Sequence, residues 1–277
     1  MKFTKMHGAG NDYVYIDCFQ EQVSDAVELA KRVSHRRFGI GSDGLVLMRP
    51  FNEGDAEMVI YNADGSQAEM CGNGLRCVAK YMHDHYAKGK PELKLLTGRG
   101  VLTARIHAAN DGLAHAVTID LGEPVFDGRQ VPVTIDRPRI IDQPIDIEGT
   151  EYRFSALSMG NPHCVIYVPD VAAFPVTDIG PQIENHPYFP ARVNVEFVQL
   201  VSEHELIQRT WERGSGETWA CGTGAAAVAV ISRLTGKTGN KVTIHLKGGD
   251  LEMEYSEGSS VKMTGPAVEV FSGEWRE

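Results

Sequence analysis

The sequence is written twice. Cys71-Gly72-Asn73-Gly74 recurs 150 residues later as Cys221-Gly222-Thr223-Gly224. At the same offset, Gly10-Asn11 ahead of the strand-like Tyr13-Val14-Tyr15-Ile16 recurs as Gly160-Asn161 ahead of Cys164-Val165-Ile166-Tyr167-Val168. Thr97-Gly98-Arg99-Gly100 is matched by Lys247-Gly248-Gly249-Asp250. Glycine is abundant, at 29 of 277 residues, but three separated matches at one offset are hard to obtain from glycine richness alone. They imply two homologous halves, so whatever one half forms the other must form too.

Each half has the same coarse order. Alternating or apolar runs predict strands at Tyr13–Asp17, Glu57–Tyr61 and Val101–Ile106 in the first half. In the second they predict strands at Cys164–Val168, Val193–Leu200, Glu205–Glu212, Lys241–Leu246 and Leu251–Tyr255. A helix is expected after each Cys-Gly-x-Gly. In the first, Leu75, Val78, Ala79, Met82 and Tyr86 recur at helical spacing. The second, Ala225–Leu234, is apolar almost all round and should be buried. A further helix capped by Ser24 and running through Val33 has its counterpart around Ile179–Asn185. Many short strands around one central helix per half predict an α+β fold of two pseudo-symmetric domains, each a curled, mostly antiparallel, barrel-like sheet around its helix. The expected division is 1–118, carrying Cys71, and 119–277, carrying Cys221, with about the last 12 residues packing back onto the first half. The Pro- and Asp-rich stretch Asp127–Asp146 reads as the region between them, and the active site is expected in the cleft they make.

Composition narrows the function classes. With 42% hydrophobic residues and no apolar run near 18, the chain reads as a soluble globular protein without a membrane span. Its start, Met1-Lys2-Phe3-Thr4-Lys5-Met6, lacks the apolar core of a secretion signal. Five cysteines, at 18, 71, 77, 164 and 221, are too few and too odd for a disulfide framework and fit a cytoplasmic location. A formal charge of −10 argues against nucleic acid as a partner.

The repeated cysteines carry the chemistry. A thiolate is a good base, and a helix N-terminus lowers thiol proton affinity. Each Gly-x-Gly lets backbone amides approach a ligand and leaves N–H groups pointing outward, an arrangement suited to a carboxylate. A carboxylate held by two such helix starts would have a thiol on each side of its α-carbon. Inversion of a stereocentre by proton transfer needs that pair, a base on one face and an acid on the other. A cysteine near a helix start is commonly a buried small hydrophobe, and it is the repeated context that weighs against that reading here. Gly72-x-Gly74 and Gly222-x-Gly224 lack the third glycine of a dinucleotide-binding loop, having Cys77 and Ala227 there. No CxxC or HExxH spacing points to zinc. Cys18, Cys77 and Cys164 read as structural.

Taken together, His7-Gly8-Ala9-Gly10-Asn11-Asp12, Tyr61-Asn62-Ala63-Asp64-Gly65-Ser66, Met70 to Gly74, Met159-Gly160-Asn161-Pro162-His163 and Glu212-Arg213-Gly214 leading into Ala220 to Gly224 resemble the diaminopimelate epimerase family. The resemblance runs along essentially the whole chain, in order and spacing. It implies interconversion of L,L- and meso-diaminopimelate, a lysine and cell-wall precursor, with no cofactor and no metal. It implies Cys71 and Cys221 as base and acid, exchanging roles with direction. By the same carry-over Asn11, Asn62, Asn161, Asn194 and Arg213 bind the substrate, and Gly72, Asn73, Gly222 and Thr223 hold the reacting carboxylate. His163 and Glu212 are implied as groups that orient or tune the thiols, with Glu212 also near the substrate. Chemistry supports these roles: diaminopimelate has two amino-acid ends, asparagine both donates and accepts, and arginine can grip a carboxylate bidentately. A surface ion pair is the rival reading for Arg213, and a satisfied buried histidine for His163.

The sequence departs from the pattern at Gly44, where some family members carry glutamine; Ser42 or Asp43 are the neighbours that could supply that contact. A proline or hydroxyproline racemase shares the two-cysteine logic but has histidine after the first Cys-Gly, where Asn73 follows Gly72 here. A phenazine-type isomerase lacks the cysteine pair. A thiol redox protein would ordinarily carry CxxC, and an amino-acid-binding protein would need neither cysteine. Loops at Gly8-Ala9-Gly10 and Gly214-Ser215-Gly216 are expected to move, and a homodimer is the commonest symmetric assembly.

Overall fold

The computed structural model describes residues 1–276. The chain divides into two compact units, one formed by Met1–Asp120 with Thr264–Glu277 and the other by Leu121–Met263.

In the first unit, strands β1 (Lys2–Gly8) and β2 (Asn11–Asp17) form an antiparallel hairpin. Its two-residue turn has Ala9 at φ 52° and Gly10 at φ 81°, the left-handed pair that matches strand twist. Helix α1 (Ala26–Ser34) follows. Its cap is Asp25, whose carboxylate accepts from Glu28 N at 3.0 Å, one residue beyond the expected Ser24. Strand β3 (Gly44–Arg49) lies parallel to β2 and antiparallel to β4 (Ala56–Asn62). After the short β5 (Gln67–Ala68) comes α2 (Gly72–His85), then β6 (Glu92–Thr97), β7 (Gly100–Ala108) and β8 (Ala114–Asp120). Strand β6 runs parallel to β4, and β6, β7 and β8 form an antiparallel meander.

The second unit opens with turns and then β9 (Ile140–Ile147) and β10 (Thr150–Ser158), a hairpin through Glu148 and Gly149, both at positive φ. The stretch expected to separate the halves is therefore partly structural: Asp142, Pro144 and Asp146 lie in β9, paired to β10. Then come β11 (Pro162–Tyr167), α3 (Val176–Glu184), β12 (Asn194–Ser202), β13 (Glu205–Glu212), β14 (Gly216–Thr218), α4 (Gly222–Leu234), β15 (Lys241–Leu246) and β16 (Gly249–Glu254). The chain returns to the first unit through β17 (Lys262–Pro266) and ends in β18 (Val268–Glu274), which pairs antiparallel with β1.

The 150-residue offset holds at the level of strand register. Tyr13 pairs with Gly44 and Gly44 with Asn62; His163 pairs with Asn194, and Val195 with Trp211 one step along the matching ladder. Parallel β2–β3 and β4–β6 have parallel counterparts in β11–β12 and β13–β15. The place beside β10 that β9 fills is filled beside β1 by β18, which comes from beyond the whole second unit in sequence.

In each unit the sheet curls around one helix. Helix α2 packs on β1, β2, β4, β6, β7, β8 and β18, and α4 on β10, β11, β12 and β16. Every residue from Gly224 to Ser232 is buried, as an all-apolar central helix requires. On α2, Leu75, Cys77, Val78, Ala79 and Met82 are buried, whereas Tyr86, expected on that apolar face, is the exposed residue just past the helix end. Among the described residues, no helix is long and apolar enough to cross a membrane.

Candidate active site

Both repeated cysteines are helix N-caps. Cys71 has extended backbone (φ −136°, ψ 117°) and its sulfur accepts from Gly74 N at 3.4 Å; Cys221 (φ −117°, ψ 104°) accepts from Gly224 N at 3.4 Å. A side-chain acceptor at this position satisfies one of the orphan amides of the first turn. The remaining amides of Gly72–Asn73 and Gly222–Thr223 head helices of 14 and 13 residues.

In the first unit, the starts of β2 and β3, the end of β4 and the start of α2 bring candidates to one end of the sheet. Cys71 donates to Asn11 Oδ1 at 3.2 Å, and Asn11 Nδ2 donates to Asp43 at 2.7 Å, so Asp43 fixes the amide. Asp43 also accepts from Asp12 N and from Arg36, while Asp12 pairs with Arg36 and Lys5, whose ammonium in turn bonds Gly41 O. Asn73 is buried and accepts from the fully buried Arg76 at 2.8 Å. Asn62 donates to Ser66 Oγ at 2.9 Å. No side chain can occupy position 44 in this chain: a Cβ on Gly44 would meet Tyr61 O at 2.1 Å and the Tyr13 ring at 2.8 Å. Ser42 is buried and turned toward Gly44 O, which leaves Asp43, through Asn11, as the neighbour that reaches the site.

In the second unit, the thiol of Cys221 lies beside Thr223 Oγ1 at 3.6 Å. His163, fully buried, bonds Asn161 Oδ1 through Nε2 at 3.0 Å and Glu196 through Nδ1 at 2.8 Å. Glu196, also fully buried, accepts from Gln208 Nε2 at 2.7 Å and from Thr210 Oγ1 at 2.6 Å. Asn194 spends its side chain on backbone, donating to Pro162 O at 2.8 Å and accepting from Arg213 N at 2.9 Å. The Arg213 side chain is exposed and donates to Ala191 O at 3.2 Å, and Glu212 accepts from Thr218 at 2.6 Å. Glu184 at the end of α3 accepts from Gly214 N and Trp211 Nε1, which anchors the loop that follows Arg213.

Two effects oppose each other at Cys221. Burial, joined by the negative charges of Glu212 and Glu196, pushes the thiol well above its ordinary range; the Thr223 hydroxyl and the Gly224 amide pull it down but do not prevail. The lowering expected from the helix start is thus outweighed here. Burial and the nearby Cys71 and Asp43 similarly push up the phenol of Tyr13.

His163, Glu196 and Cys221 bring one nitrogen, one carboxylate oxygen and one sulfur within 4.8 Å of one another, donor types that zinc accepts. Both ring nitrogens and both carboxylate oxygens are already hydrogen-bonded inside the protein, so the group is a satisfied hydrogen-bond relay. Two cavities of about 440 and 410 Å³ lie beside Arg209 and Lys247 and beside Asp17 and Tyr81; of the site residues described above only Gln208 lines the first, and neither is lined by Cys71 or Cys221.

Glu196, Gln208, Thr210 and Arg76 escaped the reading of the sequence, whereas Asp43 entered it only as a neighbour of Gly44. The signal for Glu196 was present: a lone carboxylate within the apolar run Val195 to Val198, at a position where the first half has Val46.

Comparison with known proteins shows the family. The family model described as diaminopimelate epimerase matches residues 3–126 and 155–270. A diaminopimelate epimerase of Leptospira biflexa serovar Patoc is 53% identical over 99% of this chain and 98% of its own length. One from Agathobacter rectalis is 50% identical, covering 99% of both chains, and one from Methanococcus maripaludis is 45% identical, again covering 99% of both. Among solved structures, a phenazine biosynthesis protein of the PhzF family from Enterococcus faecalis has a TM-score of 0.72 at 12% identity, covering 100% of this chain and 99% of its own. A hydroxyproline epimerase from Agrobacterium vitis has a TM-score of 0.66 at 17% identity, covering 99% and 90%. These distant likenesses speak for the fold alone.

Proposed function

Because the chain belongs to the diaminopimelate epimerase family, and is therefore an epimerase acting on a small molecule, we propose that it interconverts L,L- and meso-diaminopimelate with Cys71 and Cys221 as its proton-transfer pair. The observation that carries this reading is the repeated N-cap cysteine, each at the start of a central helix in units of matching topology. In the proposed reaction one thiolate takes the α-proton and becomes a thiol. The electron pair left on the α-carbon delocalises into the carboxylate, and the other thiol gives its proton to the opposite face and becomes the thiolate. Amides and side chains of Gly72, Asn73, Gly222 and Thr223 stabilise the carboxylate charge as it grows. Asn11, Asn62, Asn161, Asn194 and Arg213 grip the substrate, the far amino-acid end included. His163 and Glu212 tune the thiols. No cofactor enters this scheme, and the only partner it needs is the substrate; a homodimer is the assembly we propose.

The test is incubation of the reduced protein, and of Cys71→Ala and Cys221→Ala, with L,L-diaminopimelate in D2O, followed by NMR. The expected result is meso product carrying solvent deuterium at the inverted centre with the unmodified protein only, and no exchange of proline or lysine. Exchange of proline in place of diaminopimelate would overturn the substrate, and full activity of either alanine variant would overturn the cysteine pair.

A further inference from the structure

The two helix starts are alike, but what lies beneath them is not. At the 150-residue offset Glu196 corresponds to Val46, His163 to Tyr13, Gln208 to Met58, Thr210 to Ile60 and Glu212 to Asn62. Under α2 the layer is accordingly apolar: a Cβ on Gly74 would meet Cys71 Cβ at 3.6 Å and Ile60 Cδ1 at 3.7 Å, ordinary contact. Under α4 a Cβ on Gly224 would meet Glu196 Oε1 at 2.4 Å, so glycine there is what admits the carboxylate beneath the first turn. Arg76, the fully buried cation of the first unit, has Ala226 as its counterpart.

We propose that Glu196 is a positioning residue that keeps Cys221 protonated, making Cys221 the thiol that rests as proton donor. The inference rests on the reading of Cys221 as one of the two proton-transfer groups. Glu196 is fully buried, and His163, Gln208 and Thr210 converge on its two oxygens at 2.6 to 2.8 Å, which fixes them in place beneath the first turn of α4. Its oxygen lies within 4.8 Å of the Cys221 sulfur, so a thiolate at 221 would form beside a second anion in a medium that screens poorly. Glu212 adds a further negative charge, which the Thr223 hydroxyl and the Gly224 amide in contact with the sulfur oppose. Cys71 faces different neighbours: the Asn11 amide with Asp43 and its partner Arg36 behind it, the phenol of Tyr13, and the charge of Arg76. No carboxylate corresponds to Glu196 or Glu212 there. Glu196 also holds His163 Nδ1, which turns Nε2 to Asn161.

The test is site-resolved alkylation of the reduced, full-length protein with iodoacetamide across pH, read by peptide mass spectrometry as the pH midpoint of each cysteine. In the unmodified protein Cys221 should have its midpoint above that of Cys71. Glu196→Gln should lower the Cys221 midpoint by about one pH unit or more and leave the Cys71 midpoint unmoved. The fold can accept glutamine, because Gln208 Oε1 is buried without a hydrogen-bond partner and its amide can turn to receive the new donor. A merely structural role would shift both cysteines or neither. An unmoved or raised Cys221 midpoint in Glu196→Gln overturns the proposal, as does a Cys221 midpoint at or below that of Cys71 in the unmodified protein, a comparison that needs no variant. Alkylation reads protonation whether or not diaminopimelate reacts, so failure here and failure of the deuterium experiment are separate results.

Discussion

At the scale of single residues, two glycines in identical motifs carry different burdens. Gly74 and Gly224 each give the amide that reaches the cysteine sulfur three residues back, at 3.4 Å in both units. Methyl groups added to them meet different surroundings, van der Waals neighbours at 3.6 to 3.8 Å for one and a fixed carboxylate at 2.4 Å for the other. Glu196 cannot simply swing away, because its other oxygen is held by Gln208 and Thr210. Gly224→Ala is therefore expected to lower unfolding free energy by about 1–3 kcal/mol, as overpacking does. Gly74→Ala should be neutral or stabilising by up to about 1 kcal/mol, since alanine loses less backbone entropy in a helix. Urea denaturation of the two variants measures this, and equal losses would mean the carboxylate is not where the geometry has it. The same contrast explains why a motif match alone understates a site: Cys-Gly-x-Gly is repeated, but its underlayer is not.

At the scale of elements, β18 is the piece whose removal should be felt most directly. It covers the edge of β1 from Lys2 to His7, and the Phe271 ring sits edge-on to Phe3 with centroids 5.9 Å apart. A chain ending at Ala267 would leave that edge unpaired, and such edges recruit other chains. We expect a lower thermal midpoint and aggregation on heating, followed by light scattering; a monomeric variant that melts where the full chain does would refute it. Several elements were legible beforehand because their signals are local. Glu205–Glu212 and Lys241–Leu246 follow from alternation and apolar runs, and both cysteine helices follow from glycines before an apolar face. Strands β1, β8 and β18 carry mixed faces and also pair with strands far along the chain, β1 with β18 and β8 with β17, which periodicity does not encode. In the candidate site, Cys71, Cys221 and the asparagines announced themselves through repeated or motif-bound contexts. Arg76 did not, and Glu196 showed only as a lone carboxylate in an apolar run, because the role of a buried charge is recognisable only once its hydrogen-bond partners, such as Pro266 and Thr210, are brought beside it by chain return and strand pairing.

At the scale of the whole molecule, three buried thiols tie stability to alkaline pH. Burial pushes Cys77 up to about 11, and Cys164 and Cys221 well above the ordinary thiol range. The unfolded chain gives up these protons first, from about pH 8.5, while the folded chain still holds them. Stability is thus fully present below about pH 8.5 and declines as pH rises toward the folded values, by about 1 kcal/mol per pH unit for each such thiol. Denaturation midpoints at pH 7, 8.5 and 10 under reducing conditions should be level across the first pair and fall across the second; a flat profile to pH 10 would refute the assignment. The pairing of β18 with β1 has one more consequence, which concerns manufacture. Residues 268–274 follow the entire second unit in sequence, yet they complete the sheet of the first. As the chain leaves the ribosome from its N-terminus, the second unit can close as soon as it emerges, whereas the first must wait with one edge open until residues 268–274 have followed. The half synthesised first is the half finished last, and a ribosome that stalls between the two events holds a nascent chain that chaperones have reason to recognise.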